Sequence, residues 1–157
     1  MSESKYVRGK LLMAYKYKQG IYEIQNWDKY AGTENPRYLS SLELRFFHIA
    51  DHNPRILEWG SENVVVKYFS PTKNRVARYL VDLYIKYAAP DGTMIKEIIE
   101  IKPYAQTQKP VRGNKKKKTY DQEVLTWMTN TAKWQEAIAH AEKHGMKFRI
   151  ITEKCLS

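Results

Sequence analysis

Hydrophobic and polar positions divide the chain into an irregular first part and a regular remainder. Residues 1–36 are polar and rich in tyrosine, and glycines interrupt any long periodicity, which predicts an irregular N-terminal arm. The aromatic side chains of this arm either stack on nucleic-acid bases or attach the arm to the rest of the protein or to a partner. They are Tyr6, Tyr15, Tyr17, Tyr22, Trp27 and Tyr30.

Residues 37–157 predict one domain that opens with a helix and three strands. Ser40–Asp51 has apolar residues at helical spacing (Leu42, Phe46, Ile49, Ala50), and a proline follows it. Residues 63–69 and 76–88 are rich in β-branched and aromatic residues, and 94–101 follows the turn sequence Pro-Asp-Gly-Thr. These three segments would form an antiparallel meander.

A second helix and a last strand complete the domain. Thr119–His144 predicts a long helix, with Thr119 and Gln122 as a capping box and Gly145 at its end. Its predicted apolar stripe comprises Trp127, Thr131, Trp134, Ile138 and Ala141. A strand at 146–152 would lie parallel to the preceding strand, because strand–helix–strand crossovers normally have that geometry. The expected fold is α/β, with the order αβββαβ and a mixed central sheet flanked by helices.

Composition narrows the classes of function. The chain has 157 residues, of which 43% are hydrophobic, and this suits a globular domain with a core. No apolar run approaches the roughly 20 residues that a membrane helix needs. The single cysteine excludes an internal disulfide. The formal net charge of +10 favours a polyanionic partner, nucleic acid above all, although a basic protein can also simply be soluble.

Three ionisable residues in apolar strand segments predict a catalytic centre. Asp82 lies in an apolar run, and Glu100 and Lys102 share one strand face because side chains alternate. A hairpin between the two segments would bring Asp82 and Glu100 together, and hard carboxylate oxygens suit Mg²⁺. Alternatively, Asp82 pairs with Arg78 or lies at a strand edge, and Glu100 and Lys102 face solvent on an edge strand.

Further residues carry two interpretations each. Glu43 is either a third acidic ligand or the capping-box partner of Ser40. A loop with six cations in ten residues and no acid predicts a grip on DNA phosphates, or is merely solvated. These cations are Lys109, Arg112, Lys115, Lys116, Lys117 and Lys118. Two histidine pairs at helical spacing, at 48/52 and 140/144, are interpreted as exposed rather than zinc-binding, and the absence of a glycine-rich phosphate loop argues against a nucleotide cofactor.

The succession Glu43, Asp82, Glu100-Ile101-Lys102 resembles the PD-(D/E)XK nuclease superfamily, which has the restriction-endonuclease-like fold. Within it, residues 100–103, 130–134 and 145–153 are similar to TnsA-type transposon endonucleases. Residues 35–46 resemble the corresponding helix of the T-even phage head-completion nucleases.

This resemblance implies a Mg²⁺-dependent DNA endonuclease in which Mn²⁺ can substitute. Asp82 and Glu100 would hold the ion, with Glu43 assisting directly or through water and the Ile101 carbonyl as a further ligand. Lys102 would orient or deprotonate the attacking water.

The same resemblance implies a role in finishing phage heads, in the cytoplasm of an infected bacterium or in association with the virion. Head, portal or neck proteins would be its partners. A non-catalytic virion protein that grips or plugs DNA ends is the competing hypothesis, and a transposase or repair subunit that acts only in a complex is a third.

Overall fold

The structure, a computed structural model, describes residues 19–156. Its helices are α1 (Ser41–His52) and α2 (Lys117–Lys143). Its strands are β1 (Gly20–Ile21), β2 (Arg37–Tyr38), β3 (Ile56–Ser61), β4 (Val65–Ser70), β5 (Arg75–Leu80), β6 (Leu83–Ala88), β7 (Met94–Ile101) and β8 (Lys147–Ile151). Short 3₁₀ helices occupy Trp27–Lys29, Tyr104–Thr107 and Glu153–Leu156.

A mixed four-stranded sheet in the order β3-β6-β7-β8 forms the centre of the molecule. β6 pairs antiparallel with β3 and with β7, whereas β8 pairs parallel with β7 after the α2 crossover. The α/β class, the mixed sheet and the parallel last strand are therefore confirmed. One core cluster lies between α1 and the sheet, and a second lies beneath α2, where Ala137 and Ala141 pack against Tyr68 and Tyr79.

The predicted three-stranded meander is wrong in two respects. The segment 76–88 is two strands, because Val81 and Asp82 separate β5 from β6. β5 pairs with β4 in a separate hairpin, and β6 pairs with β3, a strand that the pattern analysis missed. At this break, here called the bend, the Asp82 carbonyl accepts a hydrogen bond from the N–H of Glu62, which adopts a left-handed φ of 52° between β3 and β4.

The helix ends follow the sequence in part. Gly145 follows α2 with a φ of 67°, and the Met146 N–H donates to the Ala141 carbonyl, so the predicted glycine stop is confirmed. The predicted capping box is wrong, because α2 already begins at Lys117 and its N-cap Lys116 makes no side-chain cap. Thr119 therefore lies inside the first turn.

The buried stripe of α2 agrees with the predicted one in part. Its buried residues are Asn130, Trp134, Ala137 and Ala141, so Trp134 and Ala141 are buried as predicted, whereas Ile138 remains 46% exposed. The helix packs mainly on β4 and also on β8 and β7, so these strands, and not apolar spacing alone, decide which face is buried.

Residues 19–36 pack on this domain. They contain one 3₁₀ turn and β1, and Tyr22 and Ile24 enter the core beside Phe47 and Trp59. Attachment of the arm to the rest of the protein is thus observed for its described part. Tyr6, Tyr15 and Tyr17 lie outside the described residues, and the boundary at residue 36 stays a prediction.

Asp51 fastens this segment to α1. Its buried carboxylate accepts hydrogen bonds from the Tyr22 hydroxyl at 2.7 Å and from the N–H groups of Gln25 and Asn26 at 2.8 and 3.1 Å. Burial alone would raise the pKa of Asp51, but these bonds together hold it below its usual value. The stabilisation is therefore present above the ordinary aspartate pKa and is lost as pH falls through the lowered one.

Asp51→Ala is expected to lower the free energy of unfolding by about 3 kcal/mol, because one buried donor and two partly buried donors lose their acceptor. Urea unfolding at neutral pH measures the loss, and Glu23→Ala, an exposed acid of the same segment, is the matched control. Equal stability of the two variants would contradict the proposed role of Asp51.

Candidate active site

Two carboxylates meet where β6 and β7 approach the bend. Leu83 lies opposite Ile99 in the β6–β7 ladder, and one further step along the same register brings Asp82 beside Glu100. The Ile101 N–H donates to Asp82 Oδ2 at 2.8 Å, which fixes the Asp82 side chain against β7. The predicted approach of Asp82 and Glu100 across neighbouring strands is therefore observed.

Glu100 is a buried residue of an interior strand. It is 4% exposed, and β7 lies between β6 and β8, so the alternative of a solvent-facing edge strand is excluded. Lys102 Nζ lies 3.3 Å from Glu100 Oε1, as expected for two residues on one strand face. The Tyr79 hydroxyl donates to the other oxygen, Oε2. Both oxygens of Glu100 are thus engaged.

The carboxylates of Asp82 and Glu100 repel each other in a buried environment. Burial first, and then the neighbouring charge of Glu100, raise the pKa of Asp82 well above its usual value. The Ile101 N–H and the charge of Lys102 act in the opposite direction. No ion pair joins Asp82 to Arg78 among residues 19–156, so that alternative is not observed. A bound cation would relieve this repulsion.

Glu43 has the capping role and also senses the charges of the centre. Its N–H donates to Ser40 Oγ at 3.1 Å, and its Oε2 accepts from the Leu39 N–H at 2.8 Å. Burial raises the pKa of Glu43; the charges of Glu62 and Glu100 also raise it, whereas the Leu39 bond and Lys102 lower it. Capping and proximity to the centre therefore coexist.

The number of side chains at this centre that could bind one metal ion is small. Within the described part of the chain, no three Asp, Glu, His or Cys side chains are arranged to hold one metal ion. Glu43 therefore does not stand in one ligand group with Asp82 and Glu100 in this structure. Two carboxylates are still sufficient for Mg²⁺, which keeps several waters.

Comparison with known proteins bears on what this centre does. A family model described as the TnsA-like endonuclease N-terminal domain matches residues 53–153, a span that includes Asp82, Glu100 and Lys102. The chain belongs to this family. It is also 40% identical over 146 residues to the head completion nuclease of Enterobacteria phage T4, covering 90% of this chain and 93% of that protein. The TnsA-like and phage head-completion resemblances are confirmed, and both findings support a nuclease role.

In this TnsA-like chain the predicted basic loop lies beside the N-terminal end of α2. All six cations are exposed, and Lys117 and Lys118 belong to the first turn of the helix. Lys115 Nζ pairs with Glu123 Oε2 at 2.7 Å, so an acid of α2 neutralises one of the six cations. The loop and α2 enclose a cleft of about 490 Å³, which Lys109, Trp127 and Asn130 help to line.

The rings of each histidine pair lie close together, tilted by 32° for His48 and His52 and stacked for His140 and His144. Ring centroids lie 4.2 Å apart for His48 and His52, and 4.1 Å apart for His140 and His144. In each pair, Nδ1 of the second histidine lies within hydrogen-bond distance of the backbone carbonyl oxygen of the first.

No helix of residues 19–156 has the length and apolar character needed to cross a membrane.

Two residues beside the TnsA-like centre escaped the sequence analysis. Tyr79 precedes the bend and holds Glu100, and Lys133 extends from α2 with its ammonium over the rings of Tyr68 and Tyr79. The sequence contained one signal for Tyr79, a tyrosine three residues before an acid in an apolar run. For Lys133 the spacing of α2 gave no signal, because Lys133 is not a member of the predicted apolar stripe.

Proposed function

We propose that this protein is a divalent-metal-dependent DNA endonuclease with its centre at Asp82, Glu100 and Lys102. The proposal is supported above all by the convergence of two carboxylates and an ammonium group at one end of the sheet. Membership of an endonuclease family makes phosphodiester hydrolysis the chemistry that best suits such a set.

The residues fit a Mg²⁺ ion. Asp82 and Glu100 would hold it, with the Ile101 carbonyl as a further ligand and Glu43 assisting directly or through water, and Mn²⁺ would substitute. When bound, the ion lowers the pKa of a coordinated water and neutralises charge on the phosphate. The raised pKa of Asp82 supports this proposal, because two adjacent carboxylates without a cation repel each other.

The chain's own groups would position the attacking water and the two carboxylates. Lys102, next to Glu100, orients or deprotonates the attacking water and offsets the charge that develops on the phosphate. Tyr79 and the Ile101 N–H keep the two carboxylates from rotating away. Glu43, in the first turn of α1, is near enough for the charges of Glu100 and Lys102 to act on its carboxyl group.

The biological setting follows from the similarity to the T4 head completion nuclease. We place the protein in the cytoplasm of an infected bacterial host and in association with the virion, where it processes packaged DNA ends as heads are finished. DNA is the substrate, and head, portal or neck proteins are the partners.

Incubation of the purified chain with supercoiled plasmid, branched and single-stranded DNA tests the proposal. Nicking that requires Mg²⁺ or Mn²⁺ and stops on chelation is the expected result. DNA binding without nicking on any substrate would favour a protein that plugs DNA ends. Nicking that appears only after head proteins are added would indicate a subunit that depends on its complex.

Substitution of the basic loop tests DNA binding separately from chemistry. Changing Lys116, Lys117 and Lys118 to Gln should weaken DNA binding about tenfold or more near 0.15 M salt and reduce the slope of log affinity against log salt by about 3. Cleavage at saturating DNA should change little. Lys96→Gln with Lys147→Gln, two exposed lysines at the other end of the sheet, is the control. An unchanged salt slope would show that the loop is merely solvated.

A further inference from the structure

Lys133 is the only half-buried cation that α2 directs at the hairpin, among residues 19–156. It lies next to the buried Trp134 on α2, the helix that packs mainly on β4. Its Nζ is 5.7 Å from the ring centroid of Tyr68 and 5.5 Å from that of Tyr79. No carboxylate of the described chain lies within 4.0 Å of it, so no salt bridge offsets its burial.

The surroundings of Lys133 are those of the candidate centre. Burial lowers the pKa of Lys133, the charges of Glu100 and Asp82 raise it, and those of Lys102 and Lys73 lower it. Glu100, Asp82 and Lys102 are thus near enough to act on this ammonium group, although none contacts it. Two aromatic faces at these distances compensate such a group only partly.

We infer that Lys133 is a second lysine of the centre, and that its ammonium binds a non-bridging oxygen of the DNA phosphate at which cleavage occurs. This inference rests on the proposed function. Lys133 keeps its proton throughout and donates a hydrogen bond, so it adds charge stabilisation and takes part in no covalent step.

The balance of charge supports this assignment. Asp82, Glu100 and Glu43 bring three negative charges to this region, and Lys102 and Lys133 bring two positive ones. A divalent cation would leave one positive charge in excess, and a phosphodiester carries one negative charge. Without Lys133 the loaded centre would be neutral before DNA arrived.

Tyr79 links the two lysines of the centre. Its hydroxyl donates to Glu100, to which Lys102 is also paired, and its ring lies beneath Lys133. One side chain therefore positions a metal-binding carboxylate and the second ammonium together. A purely structural Lys133, one that only covers the two tyrosines, is the competing explanation.

Lys133→Met separates the two explanations, because methionine keeps the unbranched stem on the tyrosine rings and removes the charge. Its cleavage rate at saturating DNA should fall about 10²-fold. DNA affinity measured in EDTA should change less than about threefold, because the other cations dominate binding. The thermal midpoint should not fall, since the substitution removes a half-buried charge that has no salt bridge. Lys133→Arg should recover part of the rate, and Lys143→Met, at the exposed end of the same helix, is the control.

Cleavage by Lys133→Met within threefold of wild type would overturn the inference, and so would a loss of rate that follows a lowered thermal midpoint. A second measurement does not depend on turnover. In ¹⁵N-labelled Lys102→Ala protein, the Lys133 ammonium resonance should shift when a twelve-base-pair duplex and Mg²⁺ are added. An inactive wild type with this shift would contradict the proposed function and leave the contact intact; an active wild type without it would overturn the contact alone.

Discussion

Lys102→Ala is expected to lower the rate of DNA cleavage by about 10³-fold or more while it changes DNA affinity less than about threefold. Lys102 Nζ lies 3.3 Å from Glu100 Oε1 and is 27% exposed at the side chain, so it can reach a water and a phosphate at the same centre. Lys102 is one of many cations that bind DNA, so its removal should weaken binding little, but it is the cation proposed to act on the attacking water, so the rate should fall steeply.

Single-turnover kinetics measure the cleavage rate, and equilibrium binding in EDTA measures the DNA affinity. Lys86→Ala, a half-buried lysine opposite Lys96 on the same sheet, is the matched control and should cleave normally. Lys102→Ala with normal cleavage would remove Lys102 from the centre. Equal losses in affinity and rate would instead assign it to DNA binding.

The central part of this site could be predicted from sequence because local rules determine it. Alternation along β7 places Glu100 and Lys102 on one face, and the turn between β6 and β7 sets the register that brings Asp82 opposite Glu100. Neither step needs knowledge of distant packing.

The remainder depends on contacts between elements far apart in sequence. The break at Val81 and Asp82 lies beside Glu62, whose N–H donates to the Asp82 carbonyl although the two residues are far apart in sequence. At this break β5, which pairs with β4, ends, and β6, which pairs with β3, begins. Apolar composition does not indicate a break within residues 76–88, and the segment that forms β3 was not predicted as a strand.

Lys133 and Tyr79 show the same limit at the level of single side chains. Which face of α2 is buried depends on the surface that β4, β7 and β8 form beneath it, and these strands are far apart in sequence. Glu43 shows the converse, because its local capping role was visible in the sequence while its proximity to the centre was an independent hypothesis.

Asp82→Asn is expected to abolish metal-dependent cleavage, by about 10³-fold or more, and to stabilise the fold without metal by about 1 kcal/mol at neutral pH. Burial and the charge of Glu100 raise the pKa of Asp82 in the folded protein. The folded state therefore binds this proton more tightly than the unfolded state, and wild-type stability falls as pH rises through the raised pKa. Asparagine has no charge to lose.

The stability difference between Asp82→Asn and the wild type should depend on pH and on Mg²⁺. The stability gain should vanish below about pH 4, where the aspartate is protonated even in the unfolded chain. Millimolar Mg²⁺ should raise the thermal midpoint of the wild type but not of Asp82→Asn, because the carboxylate pair is what binds the ion. Urea unfolding in EDTA at pH 4 and 7.5 measures the first effect, with the exposed Glu34→Gln as control. If Asp82→Asn is less stable than wild type at pH 7.5, Asp82 stabilises the fold, and the idea that it is a destabilising residue kept for function is wrong.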